Sequence, residues 1–224
     1  NSGREGTDRF GNVEALQFAD QTVEITGAPT NLAAEIFSGR LVVSGAAAST
    51  SYRDVRIEHY GYGSSPTVSD NGEIRVEVPV EGAGTIKHLD LSALTGAGAN
   101  VYWDDQSLTR VTGSRQDDYI SITGNTGARV ASGLGSDYIF AGSGNDTILG
   151  GSGNDTVNAG GGDDFIYNEL GNDFVDGGEG YDTLIMSGNR ADYDIVISEG
   201  MYQITHLNSG REGTDRFGNV EALQ

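Results

Sequence analysis

Six aspartates stand nine residues apart: Asp137, Asp146, Asp155, Asp164, Asp173 and Asp182. Each has a glycine two residues before it (Gly135, Gly144, Gly153, Gly162, Gly171, Gly180) and an aliphatic residue two residues after it (Ile139, Ile148, Val157, Ile166, Val175, Leu184). Three residue classes held in phase over six periods report a repeating backbone unit. Turn chemistry alone, with Asn-Asp steps as Asx-turns, accounts for one or two such repeats and not for six.

In register the repeats read SGLGSDYIF, AGSGNDTIL, GGSGNDTVN, AGGGDDFIY, NELGNDFVD and GGEGYDTLI. Six residues suit a turn and three a short strand whose central aliphatic side chain points inward. Two nonapeptides then make one coil of 18 residues. Aspartates on one side of the roll are i and i+18, giving one row of Asp137, Asp155 and Asp173 and another of Asp146, Asp164 and Asp182. Coils stacked about 4.8 Å apart bring carboxylates too close to stay unpaired, so a cation is expected between them. Oxygen donors in a flexible setting suit Ca2+ better than Mg2+, and the nitrogen or sulfur ligands usual for zinc are missing from the repeat. Glycines ahead of each aspartate let the backbone turn its carbonyls toward the ion.

The rest of the composition points the same way. A formal charge of −20 disfavours nucleic acid, which needs clustered Lys and Arg. There is no cysteine, hence neither a disulfide framework nor a thiolate metal site. Glycine is abundant (35) while proline is scarce (3), as repeated turns require and a disordered Pro/Gly linker does not. No apolar run of about 18 residues suggests membrane insertion. No signal peptide opens the chain at Asn1, and the sequence reads as an excerpt of a longer gene product.

The pattern GGxGxDxUx, matched at nearly every position by AGSGNDTIL and GGSGNDTVN, resembles the repeats-in-toxin (RTX) family of calcium-binding β-rolls. The resemblance is strong over residues 132–185. The stretch from GNRADYDIVI to GTDRFGNVEALQ is similar to the segment that caps such rolls in secreted bacterial proteins. The resemblance implies calcium held between turns i and i+18 by both aspartates and by backbone carbonyls. Carried onto this chain, Ser132, Leu134 and Asp137 meet Gly151, Gly153 and Asp155; Gly150, Ser152 and Asp155 meet Glu169, Gly171 and Asp173. On the other row Ala141, Ser143 and Asp146 meet Gly160, Gly162 and Asp164; Ala159, Gly161 and Asp164 meet Gly178, Gly180 and Asp182. About four full Ca2+ sites result. Glu169 stands where a glycine is usual and marks the weakest rung. The resemblance further implies type I secretion unfolded and folding outside the cell, since one aliphatic residue per nonapeptide cannot offset the entropy of ordering nine residues and ion binding must supply the difference.

Residues 1–17, NSGREGTDRFGNVEALQ, recur letter for letter as residues 208–224. A tandem array of near-identical units explains the identity; a segment duplicated by design is the alternative. The first copy continues as FADQTVEI, and apolar alternation across that junction (Val13, Leu16, Phe18, Val23, Ile25) suggests a strand or hairpin that finishes in the following unit.

The expected fold class is therefore all-β: a parallel β-roll preceded by a small antiparallel β module and followed by a β-hairpin cap. Residues 1–26 read as the tail of a preceding unit, 27–100 as the small module, 101–185 as the roll with calcium binding from about 132, and 186–224 as a truncated cap. TGAPTN (26–31) is the linker candidate. EIRVEVPV (73–80) alternates as a strand that Pro79 would place at a sheet edge. Asp118, 19 residues before Asp137, suggests a coil with one bulged residue and no full calcium site. YDIVISEGMYQITHL (193–207) reads as a hairpin about Glu199-Gly200.

No enzyme is expected. His59, His88 and His206 are scattered, and neither HExxH nor a GxSxG elbow occurs. Trp103 with Tyr102 suggests a sugar-stacking patch, although Trp103 fits better at the start of the roll core. The function expected is a calcium-stabilised structural module of a large secreted bacterial surface protein: an adhesin, surface-layer or filament protein. Its expected partners are adjacent head-to-tail copies of the same unit. A non-catalytic RTX module of a secreted enzyme, and a module binding cell-surface glycans, are the alternatives.

Overall fold

A computed structural model describes residues 87–95, 98–104, 106, 108–198, 201–207 and 213–224, and before residue 87 the backbone of the strands alone. The linker candidate beyond Thr26 and the Glu199-Gly200 turn lie outside the described residues.

The first strands are β1 (Phe10–Gly11), β2 (Ala15–Gln17), β3 (Thr22–Thr26), β4 (Ala33–Phe37), β5 (Arg40–Ala46), β6 (Asp54–His59) and β7 (Ile74–Val78). Next come β8 (His88–Asp90), β9 (Leu94–Thr95), β10 (Gly98–Trp103), β11 (Arg110–Thr112), β12 (Tyr119–Ile122) and β13 (Arg129–Leu134). The repeats supply β14 (Tyr138–Phe140), β15 (Thr147–Ser152), β16 (Thr156–Gly161), β17 (Phe165–Tyr167), β18 (Phe174–Glu179) and β19 (Thr183–Ile185). The chain closes with β20 (Tyr193–Ser198), β21 (Met201–His206), β22 (Thr214–Gly218) and β23 (Ala222–Leu223).

Apart from β9, which pairs with β5, the strands from β8 to β19 alternate between two sheets and form a parallel β-solenoid of about 5 turns. Each strand pairs in parallel with the strand one coil away, as Thr147 with Phe165 and Phe165 with Thr183. Earlier coils are longer: Tyr119 pairs with Tyr138 and Arg110 with Arg129, so the bulged coil expected at Asp118 is present. Several strands are also longer than three residues. In β13, β15, β16 and β18 the first half of the following turn stays extended and pairs as well, Gly133 with Gly151 and Gly160 with Gly178.

The core is a stack of single aliphatic residues, Val111, Ile120, Val130, Ile139, Ile148, Val157, Ile166, Val175 and Leu184, all buried. The first residue of each nonapeptide faces inward too, which the repeat alone did not suggest: Ser132, Ala141, Gly150, Ala159, Asn168 and Gly177 are all buried. Small side chains there let the two sheets approach, so the core is thin. Trp103 lies inside at 1% exposure and cannot stack on a sugar. Tyr102 instead faces outward in a file with Tyr119, Tyr138 and Phe140, with ring centroids 5.3 to 6.5 Å apart.

The small module expected over residues 27–100 is antiparallel only in part. β4 pairs antiparallel with β5, and β3 with β7. The pairs β5–β8, β6–β7 and β6–β10 are parallel, so both solenoid sheets run on into this region. β7 is not an edge strand as Pro79 suggested. It ends at Val78 and pairs with β3 on one side and β6 on the other; Pro79 lies outside the described residues. The expected C-terminal hairpin is β20 with β21, antiparallel from Tyr193–His206 to Ser198–Met201. Among the described residues no helix is long and apolar enough to cross a membrane.

Candidate metal centre

The repeat aspartates form two hydrogen-bonded ladders. In each rung the backbone N–H of one aspartate, or of Ala128 at the head of the second row, donates to Oδ1 of the aspartate one coil later. In the first row Asp118 donates to Asp137 at 2.7 Å, Asp137 to Asp155 at 2.8 Å and Asp155 to Asp173 at 2.9 Å. In the second row Ala128 donates to Asp146 at 2.6 Å, Asp146 to Asp164 at 2.7 Å and Asp164 to Asp182 at 2.9 Å. The two rows predicted from the nine-residue period are thus the two rows of the structure.

The residue before each aspartate clamps the coils in the opposite sense. Ser136 Oγ accepts from Asn154 N–H, Asn154 Oδ1 from Asn172 N–H, Asn145 Oδ1 from Asp163 N–H and Asp163 Oδ1 from Tyr181 N–H. These exposed bonds explain why Ser, Asn and Asp recur there: a short polar side chain can reach the next coil's backbone.

The second carboxylate oxygen is the informative one. Oδ2 of Asp137, Asp146, Asp155, Asp164 and Asp182 is buried and has no hydrogen-bond partner. Burial pushes the carboxyls of Asp137, Asp146 and Asp155 up to about 7 and that of Asp164 up to about 6. It raises Asp173 and Asp182 as well. The N–H donated to Oδ1 works against this shift, while neighbouring carboxylates add to it. A buried carboxylate oxygen without a donor must be protonated or meet a cation.

The surroundings fit a hard cation. Among the described residues no three carboxylate or imidazole side chains converge; each rung brings two carboxylates, so backbone carbonyls must complete a sphere of six to eight oxygens. The carbonyl donors implied by the resemblance line these turns. Gly150 O already accepts from Ser132 Oγ at 2.6 Å, Gly151 O from Leu170 N–H at 3.0 Å and Ser152 O from Gly135 N–H at 2.9 Å, which leaves a second lone pair on each.

A profile of the RTX calcium-binding nonapeptide repeat (4 copies) matches residues 123–157, 131–166 and 149–184. Residues 123–184 belong to the RTX calcium-binding nonapeptide family. No curated protein matches the chain. RTX repeats imply Ca2+ binding, and the aspartate ladder they require is present. Such repeats are typical of secreted bacterial proteins.

One RTX turn departs from the others. At the second position of the nonapeptide Gly133, Gly142, Gly151, Gly160 and Gly178 have φ between 92° and 113°. Glu169 occupies that position and is not among the positive-φ residues, because a side chain makes this conformation costly. Pairing skips this position: β17 stops at Tyr167, the Glu169 carboxylate takes the Gly151 N–H at 2.9 Å, and Leu170 resumes with a parallel bridge to Ser152. The irregularity expected at Glu169 is a local loss of sheet pairing, with its side chain substituting for its backbone.

Two ladder members, Asp215 and Glu221, fall outside the sequence expectation; a third, Asp118, is expected in a bulged coil without a full calcium site. Asp118 heads the first row and, unlike the repeat aspartates whose Oδ2 is orphaned, has partners for both oxygens. Oδ1 accepts from Ala99 N–H at 2.7 Å and Ser114 Oγ at 2.8 Å, and Oδ2 accepts from Ser114 N–H at 2.7 Å. Asp215 and Glu221 close the rows at the other end: Asp173 N–H donates to Asp215 Oδ1, and Asp182 N–H to Glu221 Oε2, both at 2.8 Å. A signal for Asp215 was available. Gly213-Thr214-Asp215-Arg216-Phe217 repeats the G-x-D-x-U core of the nonapeptide, and Phe217 is fully buried beside Val175. Of the three histidines, His88 Nε2 lies 3.0 Å from Thr112 Oγ1 and His206 packs edge-on to Tyr193; His59 is in β6.

Proposed function

We propose that this chain is one non-catalytic unit of a secreted, repetitive bacterial surface protein, an adhesin, surface-layer or filament protein, that folds outside the cell when its RTX roll binds about four calcium ions. The buried, partnerless Oδ2 atoms carry this reading, because the folded roll keeps them at neutral pH only with a cation or a proton. Binding energy then acts as folding energy. Circular dichroism during a calcium titration tests it: β structure over the repeats should be lost in chelator and return at millimolar calcium. Full β content in chelator at neutral pH would overturn the proposal.

The partner proposed is the next copy of the unit. Support comes from the 17-residue identity and from the places its two copies take. The second copy contributes β22 and β23, which pair in parallel with β18 and β19. The first contributes β1 and β2, which pair antiparallel with β4 and β3 at the other end of the two sheets. In an array one such segment finishes one roll and begins the next. A covalently linked pair of units should unfold in calcium with one cooperative transition; two independent transitions would remove the continuity.

A second reading, a surface for cell-surface glycans, is favoured by the outward file of Tyr102, Tyr119, Tyr138 and Phe140. Substituting Tyr119 and Tyr138 by serine should abolish retention on a glycan array. Unchanged retention would remove the file from consideration.

A further inference from the structure

The two rows end differently at the cap. Asp215 ends the first with both oxygens partnered, Oδ1 by Asp173 N–H and Oδ2 by Asn168 Nδ2, each at 2.8 Å. The second row ends on Asp182 and Glu221. The Asp182 N–H goes to Glu221 Oε2 at 2.8 Å, and Glu221 N–H returns to Asp182 O at 3.1 Å. Asp182 is fully buried and its Oδ2 has no partner. That oxygen lies 2.6 Å from the point where a Cβ on Gly177 would stand, and the carbonyl oxygen of Asn219 crowds the same point. Gly113 has the same neighbours at the start of the roll, Asp118 Oδ2 and Ser132 O. Asn219 therefore presents its carbonyl where the first residue of a further nonapeptide would present one.

Asn219 is held for this task. Among the described residues it is the one non-glycine with positive φ, at 50°, a conformation asparagine tolerates better than most residues. Its Nδ2 donates to Asp176 Oδ1 at 2.8 Å and fixes the turn. A six-residue return from Phe217 to Leu223 replaces the usual nine, and the longer glutamate side chain spans the difference.

We infer that Asp182 Oδ2, the Asn219 carbonyl and the Glu221 carboxylate form a further calcium site at the joint of roll and cap, with Asn219 and Glu221 lying outside the nonapeptide motif. It rests on the reading of the roll as calcium-loaded and adds to it that the cap docks through an ion. Hard oxygen donors of mixed carboxylate and carbonyl type are what Ca2+ selects.

Native mass spectrometry of the full chain in calcium, with hydrogen exchange, tests this. Glu221→Gln keeps an oxygen acceptor for Asp182 N–H, so the fold should persist while the chain carries one ion fewer. Amides of 213–224 should lose protection, and those of 137–176 should keep it. Glu14→Gln alters the same residue of the identical first copy and should leave the count unchanged. An undiminished ion count in Glu221→Gln, or an ion lost equally in Glu14→Gln, would overturn the cap site alone. A native chain that takes up no calcium would overturn the roll reading beneath it.

Discussion

Ser114 satisfies both oxygens of Asp118, donating its N–H to Oδ2 at 2.7 Å and its Oγ–H to Oδ1 at 2.8 Å. Four residues of local chain thus do at the first rung what an ion must do at the rungs that follow. Asp118 is buried and takes a third hydrogen bond from Ala99 N–H in β10, so the solenoid starts from a coil whose aspartate needs no metal.

Ser114→Ala should therefore destabilise the chain without changing its calcium stoichiometry. Loss of a charge-assisted bond to a buried carboxylate costs about 1.5–3 kcal/mol. A lowered thermal midpoint in saturating calcium, with the ion count by mass spectrometry unchanged, is the expected pair of results. A lost ion would mean that the Asp118 rung is itself a calcium site.

Protons should substitute in part for calcium. The ladder carboxyls sit at about 6 to 7 in the folded roll, against about 4 in an unfolded chain. Between those values the metal-free fold binds more protons than the unfolded chain, so its stability falls as pH rises. The stabilising effect is complete below about 4 and gone above about 7. In chelator, β structure should increase as pH is lowered from 7.5 toward 5, and calcium affinity should weaken over the same interval. Circular dichroism at several pH values checks this, and a metal-free roll that loosens on acidification would contradict it.

Glu169→Gly and Glu169→Ala should act in opposite directions. Glycine can take the positive φ of its counterparts, restore pairing with Gly151 and lower the calcium concentration at the folding midpoint, by about 1.5-fold for a gain of about 1 kcal/mol when about four ions bind cooperatively. Alanine loses the carboxylate that now accepts the Gly151 N–H and gains no access to that conformation, so its midpoint should rise. Equal shifts in the two variants would show that backbone conformation is not what limits this rung.

The nonapeptide was legible because everything that defines it is local. Glycine at fixed offsets permits the turn, the aliphatic residue two places after each aspartate must face inward, and the i+18 partner follows from two turns per coil. That reasoning placed both aspartate rows, the single-file core, the long coil at Asp118 and the closing hairpin of β20 and β21. It could not say which oxygens the protein itself would satisfy. Ser114 at Asp118 and Asn168 at Asp215, like Glu221 as the acceptor of the Asp182 N–H, are decided by contacts across irregular spacings, of up to 47 residues for Asn168, that no fixed period announces. The stretch before residue 87 was misread for a related reason. Alternating apolar residues fix which face of a strand is buried, but parallel or antiparallel pairing depends on the route the chain takes between strands. Sequence alone thus determined the repeating unit and the need for an ion, both consequences of short-range geometry and like charge. The tertiary structure decided where the ladder begins, where it ends and which rungs the protein completes, because those depend on what packs against the first and last coils.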